Sequence, residues 1–186
     1  MSFLTFSLSD IISTQGEEPV RSFLSSFRCS INPEAEDFLK NTSMRHEKRG
    51  ISRTYLVVNK DDVVEGFTIV GYYTLAIKCF SVDSERKIPR DILTQMNVNR
   101  GVAQAYLLGQ LAKADGAEKG FGKIMIDNAM KTFENGYKTF GTHTVRLDCK
   151  DEPALIRYYE SLGFFSIGKT PDNELNQMVV IITAAS

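Results

Sequence analysis

Residues 107–130 read LLGQLAKADGAEKGFGKIMIDNAM, an apolar strand pattern that leads into a glycine-bearing turn and then into an amphipathic helix. Gly120 and Gly122 allow the chain to turn tightly and to bring its backbone close to a ligand. The free N–H groups of the first helical turn face the same place, at the positive end of the helix dipole. The stretch therefore predicts a cradle for an anion, and a phosphate group suits it.

A lone Gly-x-Gly is more often only a tight connection between a strand and a helix. Here a second segment follows it: residues 145–150 form another strand pattern, and residues 155–164, LIRYYESLGF, form a helix and a turn. Two such motifs in this order occur together by chance far less often than either one alone. The pair therefore favours the ligand-binding interpretation of the glycine turn.

Together these motifs resemble those of the GNAT N-acetyltransferase superfamily, within a single-domain bacterial group that is toxin-like or uncharacterised. In that family a strand is followed by Arg/Gln-x-x-Gly-x-Gly/Ala and a helix, which residues 117–122 match with Ala117 at the first position. The later signature, Ala-x-x-x-Tyr-Glu-x-x-Gly-Phe, matches residues 155–164 with Leu155 at its first position. The resemblance covers residues 52–183.

The resemblance implies that acetyl-CoA is the co-substrate. Its pyrophosphate would lie on the backbone amides of residues 118–123, with Lys119 or Lys123 covering the side-chain contact that Ala117 cannot make. Its pantetheine arm would pair with the backbone of residues 111–113, and a register shifted by one residue stays open. The predicted cofactor-binding residues are Leu111, Ala112, Lys113, Lys119, Gly120, Phe121, Gly122 and Lys123.

Acetyl transfer to an amine needs a proton for the departing thiolate, and a phenol can supply it because the reference pKa values of tyrosine and thiols lie within ~2 units. By resemblance, Tyr159 is the predicted catalytic residue. Its helical spacing from Leu155 and Leu162 is also typical of an ordinary buried stripe. No carboxylate identifies itself as the general base, since Asp148 and Glu152 are more typical of surface or helix-start charges.

The composition is that of an ordinary globular chain, with 186 residues of which 42% are hydrophobic and 24% charged. This length predicts a single domain spanning residues 1–186, and the first ~30 residues have the weakest pattern. A net charge of -1 creates no overall attraction to nucleic acid or membrane, although a local patch can exist. The basic residues between Arg45 and Arg49, with Arg53 beyond, are typical of a helix end, and their alternative is a site for an acidic peptide or RNA phosphates.

The three cysteines, Cys29, Cys79 and Cys149, are widely separated and odd in number. They predict neither a disulfide framework nor a zinc site, and no metal is expected. Cys149 is interpreted as a buried thiol rather than a nucleophile, because no histidine lies at a sequence spacing that indicates a paired base. The amino terminus lacks the basic start of a signal peptide, and the most apolar run is too short to cross a bilayer. The expected location is the cytoplasm, away from membranes.

The order of patterns predicts an α/β (α+β) fold, and the resemblance specifies a GNAT-like mixed, splayed central sheet flanked by helices. Helices are predicted from Asn32 to Gly50, over 88–96, from the glycine turn to a C-terminal cap at Gly136, and from Pro153. Strands are predicted over 53–60, in the apolar run 63–80, and over 106–114, 144–149, 164–167 and 178–183.

The function that the resemblance implies is transfer of acetyl from acetyl-CoA to a primary amine, by direct attack in a ternary complex. The acceptor is left open among a small molecule, a peptide and an aminoacyl-tRNA. The resemblance to the toxin-like group also implies a possible antitoxin-like protein partner. Whether the chain forms oligomers stays open. The alternative is a non-catalytic acyl-CoA sensor or protein-interaction module that retains the CoA cradle.

Overall fold

The computed structural model describes residues 3–59, 67–82, 88–172 and 174–183, so residues 63–66 of the predicted apolar run 63–80 lie outside it. Its helices are α1 (Leu8–Gln15), α2 (Glu17–Ser25), α3 (Pro33–Asp37), α4 (Ser43–Lys48), α5 (Arg90–Gln95), α6 (Phe121–Phe140) and α7 (Pro153–Ser161), with a π-helical segment, Phe38–Thr42, between α3 and α4. Its strands are β1 (Phe3–Ser7), β2 (Arg53–Asn59), β3 (Ile69–Ser81), β4 (Val102–Lys113), β5 (Thr144–Lys150), β6 (Phe165–Lys169) and β7 (Leu175–Ile181). In these ranges no helix is long and apolar enough to cross a membrane.

The strands form one mixed sheet in the order β1-β2-β3-β4-β5-β7-β6. Strands β4 and β5 run parallel, whereas β1 with β2, β2 with β3, β5 with β7 and β6 with β7 are antiparallel. The register of β4 with β5 covers only Tyr106 to Leu108, although β4 continues to Lys113. The predicted α/β fold with a mixed, splayed sheet flanked by helices is confirmed.

The chain divides into two compact units. The first contains Met1–Ala76 and Gln110–Ala129, and the second contains Ile77–Gly109 and Met130–Ser186. The single domain over residues 1–186 stays a prediction.

The core of the first unit lies where the amino-terminal helices pack on β2 and β3. Its fully buried side chains include Leu8, Leu24, Leu39, Leu56 and Tyr72. The Tyr72 hydroxyl donates to the Ala35 carbonyl at 2.6 Å, which ties the sheet to α3. The weak sequence pattern before residue 30 conceals β1, α1 and α2, because these short elements become stable only through this packing.

The helical region after Asn32 begins and ends as predicted. The Asn32 side chain accepts a hydrogen bond from the Ala35 N–H at 3.3 Å, and Pro33 occupies the first turn. The region ends before Gly50, whose φ of +63° is the left-handed conformation that a glycine adopts without steric cost. The π-helical segment in its middle is not predicted by the sequence pattern.

Glu47 is a buried carboxylate that the sequence reading does not single out. The pairing of β1 with β2 ends at Ser7 and Tyr55, so the next residue of β2, Thr54, has no partner on the β1 side. The Glu47 carboxylate accepts from the Thr54 N–H and pairs with the half-exposed Arg53 guanidinium at 2.8 Å. Glu47 therefore completes the hydrogen bonding of β2 where β1 stops.

The prediction that Gly136 caps α6 is wrong. The helix continues to Phe140 and ends at Gly141, whose φ is +85° and whose N–H donates to the Tyr137 carbonyl at 2.8 Å. Position 136, inside the helix, suits glycine because a Cβ there would stand 2.8 Å from the Tyr106 hydroxyl oxygen. A helix glycine that serves a packing contact looks the same in the sequence as one that ends a helix.

Removing the Tyr106 hydroxyl is expected to raise stability. This oxygen is buried and has no hydrogen-bond partner within the described residues. Because an unsatisfied buried polar group costs about 1–3 kcal/mol, Tyr106→Phe should raise the free energy of unfolding by about 1 kcal/mol in chemical denaturation. Gly136→Ala, which crowds the same contact, should lower it by about 2 kcal/mol. A lower stability for Tyr106→Phe would mean that a bound water satisfies the hydroxyl.

Candidate functional site

The carboxyl-terminal end of β4 is held by β3 on one side. The Gln110 N–H donates to the Thr74 hydroxyl at 2.8 Å, and the Ala114 N–H donates to the Val70 carbonyl at 2.9 Å. Between them, the Ala112 side chain is buried in the core of the first unit, while Leu111 and Lys113 are half-buried. Ala112 can therefore offer a ligand only its backbone.

The turn after β4 is anchored by Asp115. Its N–H donates to the Arg28 carbonyl at 2.9 Å, and its carboxylate accepts from the Ser30 hydroxyl at 2.6 Å and the Ser30 N–H at 2.9 Å. These hydrogen bonds, that of the Ser30 side chain first, lower the pKa of Asp115. The start of the turn is therefore tied to the segment after α2, a contact between residues 85 positions apart that no local pattern predicts.

The first turn of α6 presents open backbone donors. Within the described part of the chain, the N–H groups of Lys119, Gly120 and Gly122 have no protein acceptor. Gly120 has a φ of +85° and nothing within 4 Å of where a Cβ would lie, so the space over it is open. Gly122 lies inside the helix. Such unpaired amides at a helix N-terminus can bind an anion.

The position of α6 depends on Gly71 of β3. A Cβ at Gly71 would lie 2.7 Å from both the Met125 sulfur and the Phe121 ring, and 3.0 Å from the Ala112 carbonyl oxygen. The Phe121 ring is buried and also packs against the ring of Phe3, with centroids 4.9 Å apart. Phe121 thus anchors the helix through its side chain, and its N–H donates to the Glu118 carbonyl at 3.4 Å.

The two lysines predicted to reach the pyrophosphate have different surroundings. Lys119 is exposed at the turn. Lys123 forms an exposed ion pair one helical turn along, with its ammonium 2.7 Å from a carboxylate oxygen of Asp127. An exposed pair of this kind contributes little to stability, so Lys123 can exchange Asp127 for another anion at small cost.

Tyr159 lies on α7 in the second unit and is buried, with 8% of its surface exposed. Its ring packs against Phe164 and Tyr158, with centroids 5.9 Å and 5.4 Å away. Burial, with smaller contributions from Cys149 and Tyr158, raises the pKa of Tyr159 well above that of a free tyrosine. Like a free tyrosine, the phenol is protonated at neutral pH, as a proton donor requires, and burial makes it a weaker acid.

Other polar groups near α7 are engaged or exposed. Burial first, and then the charges of Asp148 and Asp151, raise the pKa of Cys149 to about 11, so it is a protonated thiol rather than a nucleophile. Asp148 accepts from the Arg146 guanidinium at 2.9 Å and forms an ion pair with it. Glu152 is exposed at the start of α7. Among the described residues, no group of acidic, histidine and cysteine side chains is arranged to hold a metal.

A scan against protein-family models and a search of curated proteins give no match. Among solved structures, a tyrosine-to-phenylalanine variant of KacT aligns over 97% of this chain and 95% of its own, at 19% identity and a TM-score of 0.74. AtaT complexed with acetyl-methionyl-tRNAfMet aligns over 94% of both chains, at 19% identity and a TM-score of 0.69. An AtaT variant bound to the C-terminus of the antitoxin AtaR and acetyl-CoA aligns over 97% and 94%, at 21% identity and 0.68.

The chain has the GNAT fold. At these identities the likeness establishes the fold, and it confirms at that level the resemblance first seen in residues 117–122 and 155–164. In this GNAT fold, the predicted cofactor-binding residues all lie in the first unit, at the end of β4 and in the turn before α6. Tyr159 lies in the second unit. The cofactor-binding and catalytic assignments stay predictions.

Proposed function

We propose that this GNAT-fold chain is an N-acetyltransferase that moves an acetyl group from acetyl-CoA to a primary amine by direct attack in a ternary complex. The observation that carries the proposal is the run of open backbone donors at the start of α6, in the turn that follows β4. A pyrophosphate needs several donors to replace its water, and these amides supply them without side-chain entropy cost.

Each segment then has a distinct task. The amides of Lys119, Gly120 and Gly122 bind the pyrophosphate, and the exposed Lys119 side chain adds positive charge. The backbone of residues 111–113 aligns the pantetheine arm. Acetyl-CoA supplies the activated thioester when bound. The protonated Tyr159 hydroxyl holds the proton that the departing sulfur requires.

For the acceptor, we propose the α-amine of an aminoacyl-tRNA. AtaT, which shares the fold, is complexed with acetyl-methionyl-tRNAfMet in one of the solved structures. An α-amino group has a reference pKa of about 7.7–8.0, against about 10.4 for lysine. A usable fraction of an α-amine is therefore neutral near pH 7 without a dedicated base. This suits a site in which neither Asp148, held by Arg146, nor the exposed Glu152 is placed as one.

We also propose a protein partner of the antitoxin kind. The solved structures that share this fold include AtaT with the C-terminus of the antitoxin AtaR, and a complex of KacTA with DNA. Such a partner would be expected to bind the folded enzyme and to inhibit transfer.

Ligand binding should appear as thermal stabilisation. Acetyl-CoA and CoA, each at about 100 times the dissociation constant, should add about 2.7 kcal/mol to the free energy of unfolding, whereas ATP should not. The measurement is thermal unfolding of the whole chain with each ligand. A shift with ATP as large as that with CoA would indicate a general nucleotide site. The absence of any shift would overturn the acetyltransferase proposal.

The alternative is an acyl-CoA sensor without transfer. Ala117, which lacks the side-chain donor usual at that position of the motif, and the absence of an identified base favour it. Mass spectrometry of aminoacyl-tRNA and amine substrates after incubation with acetyl-CoA separates the two functions. Binding of acetyl-CoA without acetylation of any acceptor would support the sensor.

A further inference from the structure

A concave basic surface lies on the first unit, apart from the β4 end and the α6 turn. It has a volume of about 250 Å³ and is bordered by α2, the π-helical segment and α4. Five cationic side chains line it together with Asn41 and Met44, and we call it the basic groove. The five cations are Arg21, Lys40, Arg45, Lys48 and Arg49.

The end of α4 explains only part of this charge. Cations at a helix C-terminus are stabilised by the helix dipole, which accounts for Arg45, Lys48 and Arg49. Arg21 and Lys40 come from two other segments, and Lys40 lies in a π-helical turn. π-Helical turns are rare in proteins overall, and those that occur are often found at functional sites. Three helical segments therefore bring like charges together, an arrangement that a bound anion would stabilise.

Nearby acidic side chains form ion pairs with some of these cations and leave others without an acidic partner. Lys48 pairs with Glu17 at 2.6 Å, and Lys40 pairs with Glu36. In the described residues Arg45 and Arg49 have no acidic partner. The groove thus keeps two guanidinium groups available.

We propose that the basic groove binds phosphate groups of an RNA backbone. Guanidinium groups match phosphate oxygens through paired N–H donors, and phosphate contacts need no apolar anchor. An acidic peptide would be expected to add a buried apolar anchor, but Met44, the apolar side chain of the groove, is only 6% exposed. The groove can attract phosphate groups although the overall net charge is -1, because salt screens the effect of charges that lie more than about 10 Å away.

The inference rests on the proposed function in one respect: an aminoacyl-tRNA acceptor must be held by contacts outside its reacting amine. Binding itself is measured separately from transfer. The probe is a fluorescently labelled tRNA, and the readout is anisotropy over a range of salt concentrations.

The test compares the whole chain with two double variants of equal charge change. Arg45→Gln with Arg49→Gln removes the two unpaired groove cations, and Lys131→Gln with Lys138→Gln removes two exposed cations from α6. The groove variant should bind at least about tenfold more weakly at about 100 mM salt, with a log–log salt slope smaller by roughly 1.5. The α6 variant should stay within about twofold of the unmodified chain.

Equal losses in both variants would show non-specific attraction and overturn the inference, as would unchanged binding in the groove variant. Displacement by a short polyglutamate peptide together with weak tRNA binding would assign the groove to an acidic peptide instead. Thermal stabilisation by acetyl-CoA is recorded on every variant. If acetyl-CoA gave no thermal stabilisation while tRNA still bound through the groove, the proposed transferase function would be overturned and the proposed RNA site would be retained.

Discussion

Tyr159→Phe is expected to lower kcat for acetyl transfer at least about 100-fold while leaving the thermal shift with acetyl-CoA unchanged. The ring of Tyr159 packs edge-on against Phe164 without using the hydroxyl, so its removal should leave the packing of α7 intact. A tyrosine hydroxyl is protonated at neutral pH, which is the state needed to donate to a leaving sulfur. Steady-state kinetics with the acceptor identified by mass spectrometry measure the effect.

Tyr158→Phe is the matched control, because Tyr158 is the adjacent tyrosine on α7 and its ring lies 5.4 Å from that of Tyr159. This variant should keep kcat within a few-fold of the unmodified chain. Undiminished transfer in Tyr159→Phe would remove Tyr159 from the chemistry and leave it as part of a buried stripe. A large loss in Tyr158→Phe alone would move the assignment by one residue.

Gly71→Ala is expected to lower the free energy of unfolding by about 3 kcal/mol, or Tm by roughly 6–12 °C. The new methyl would overlap the Met125 sulfur and the Phe121 ring, and it would also press on the Ala112 carbonyl. Because Phe121 is the first residue of α6, any relief of the overlap must shift the open amides beside it. The stabilisation by acetyl-CoA should therefore fall as well.

Gly141→Ala separates this effect from the general cost of replacing glycine. Gly141 has a φ of +85° but nothing within 4 Å of where a Cβ would lie, so it should lose only about 1–2 kcal/mol from backbone strain. It lies after α6 ends, and the acetyl-CoA shift should persist. Equal losses in both variants, measured by chemical denaturation and thermal shift, would mean that Gly71 has no special packing role.

Several elements could be predicted because their signals are local. Asn32, Pro33 and Gly50 mark the ends of a helical region through capping and left-handed backbone geometry. The glycine turn before α6 and the turn at Gly163 carry the order of motifs that the GNAT fold requires. These signals act within a few residues and need no knowledge of distant partners.

Other features could not be predicted because they depend on contacts between distant residues. Gly136 looks like a helix cap until Tyr106 is placed against it. Gly71 looks like an ordinary strand glycine until α6 packs on it. The carboxylate of Asp115 meets Ser30 across 85 positions, so neither residue stands out alone.

By itself, the sequence determined the class of fold and predicted a phosphate-binding turn, because spacing along one segment decides how its own backbone and side chains are arranged. The candidate tyrosine came from the family resemblance. Only the tertiary structure decided that Gly71 sets the position of α6 and that Tyr159 is buried. It alone also brought Arg21 and Lys40 to the same groove as Arg45 and Arg49. Burial and convergent charge are properties of packed surfaces, and packing joins segments whose separation in the sequence carries no signal.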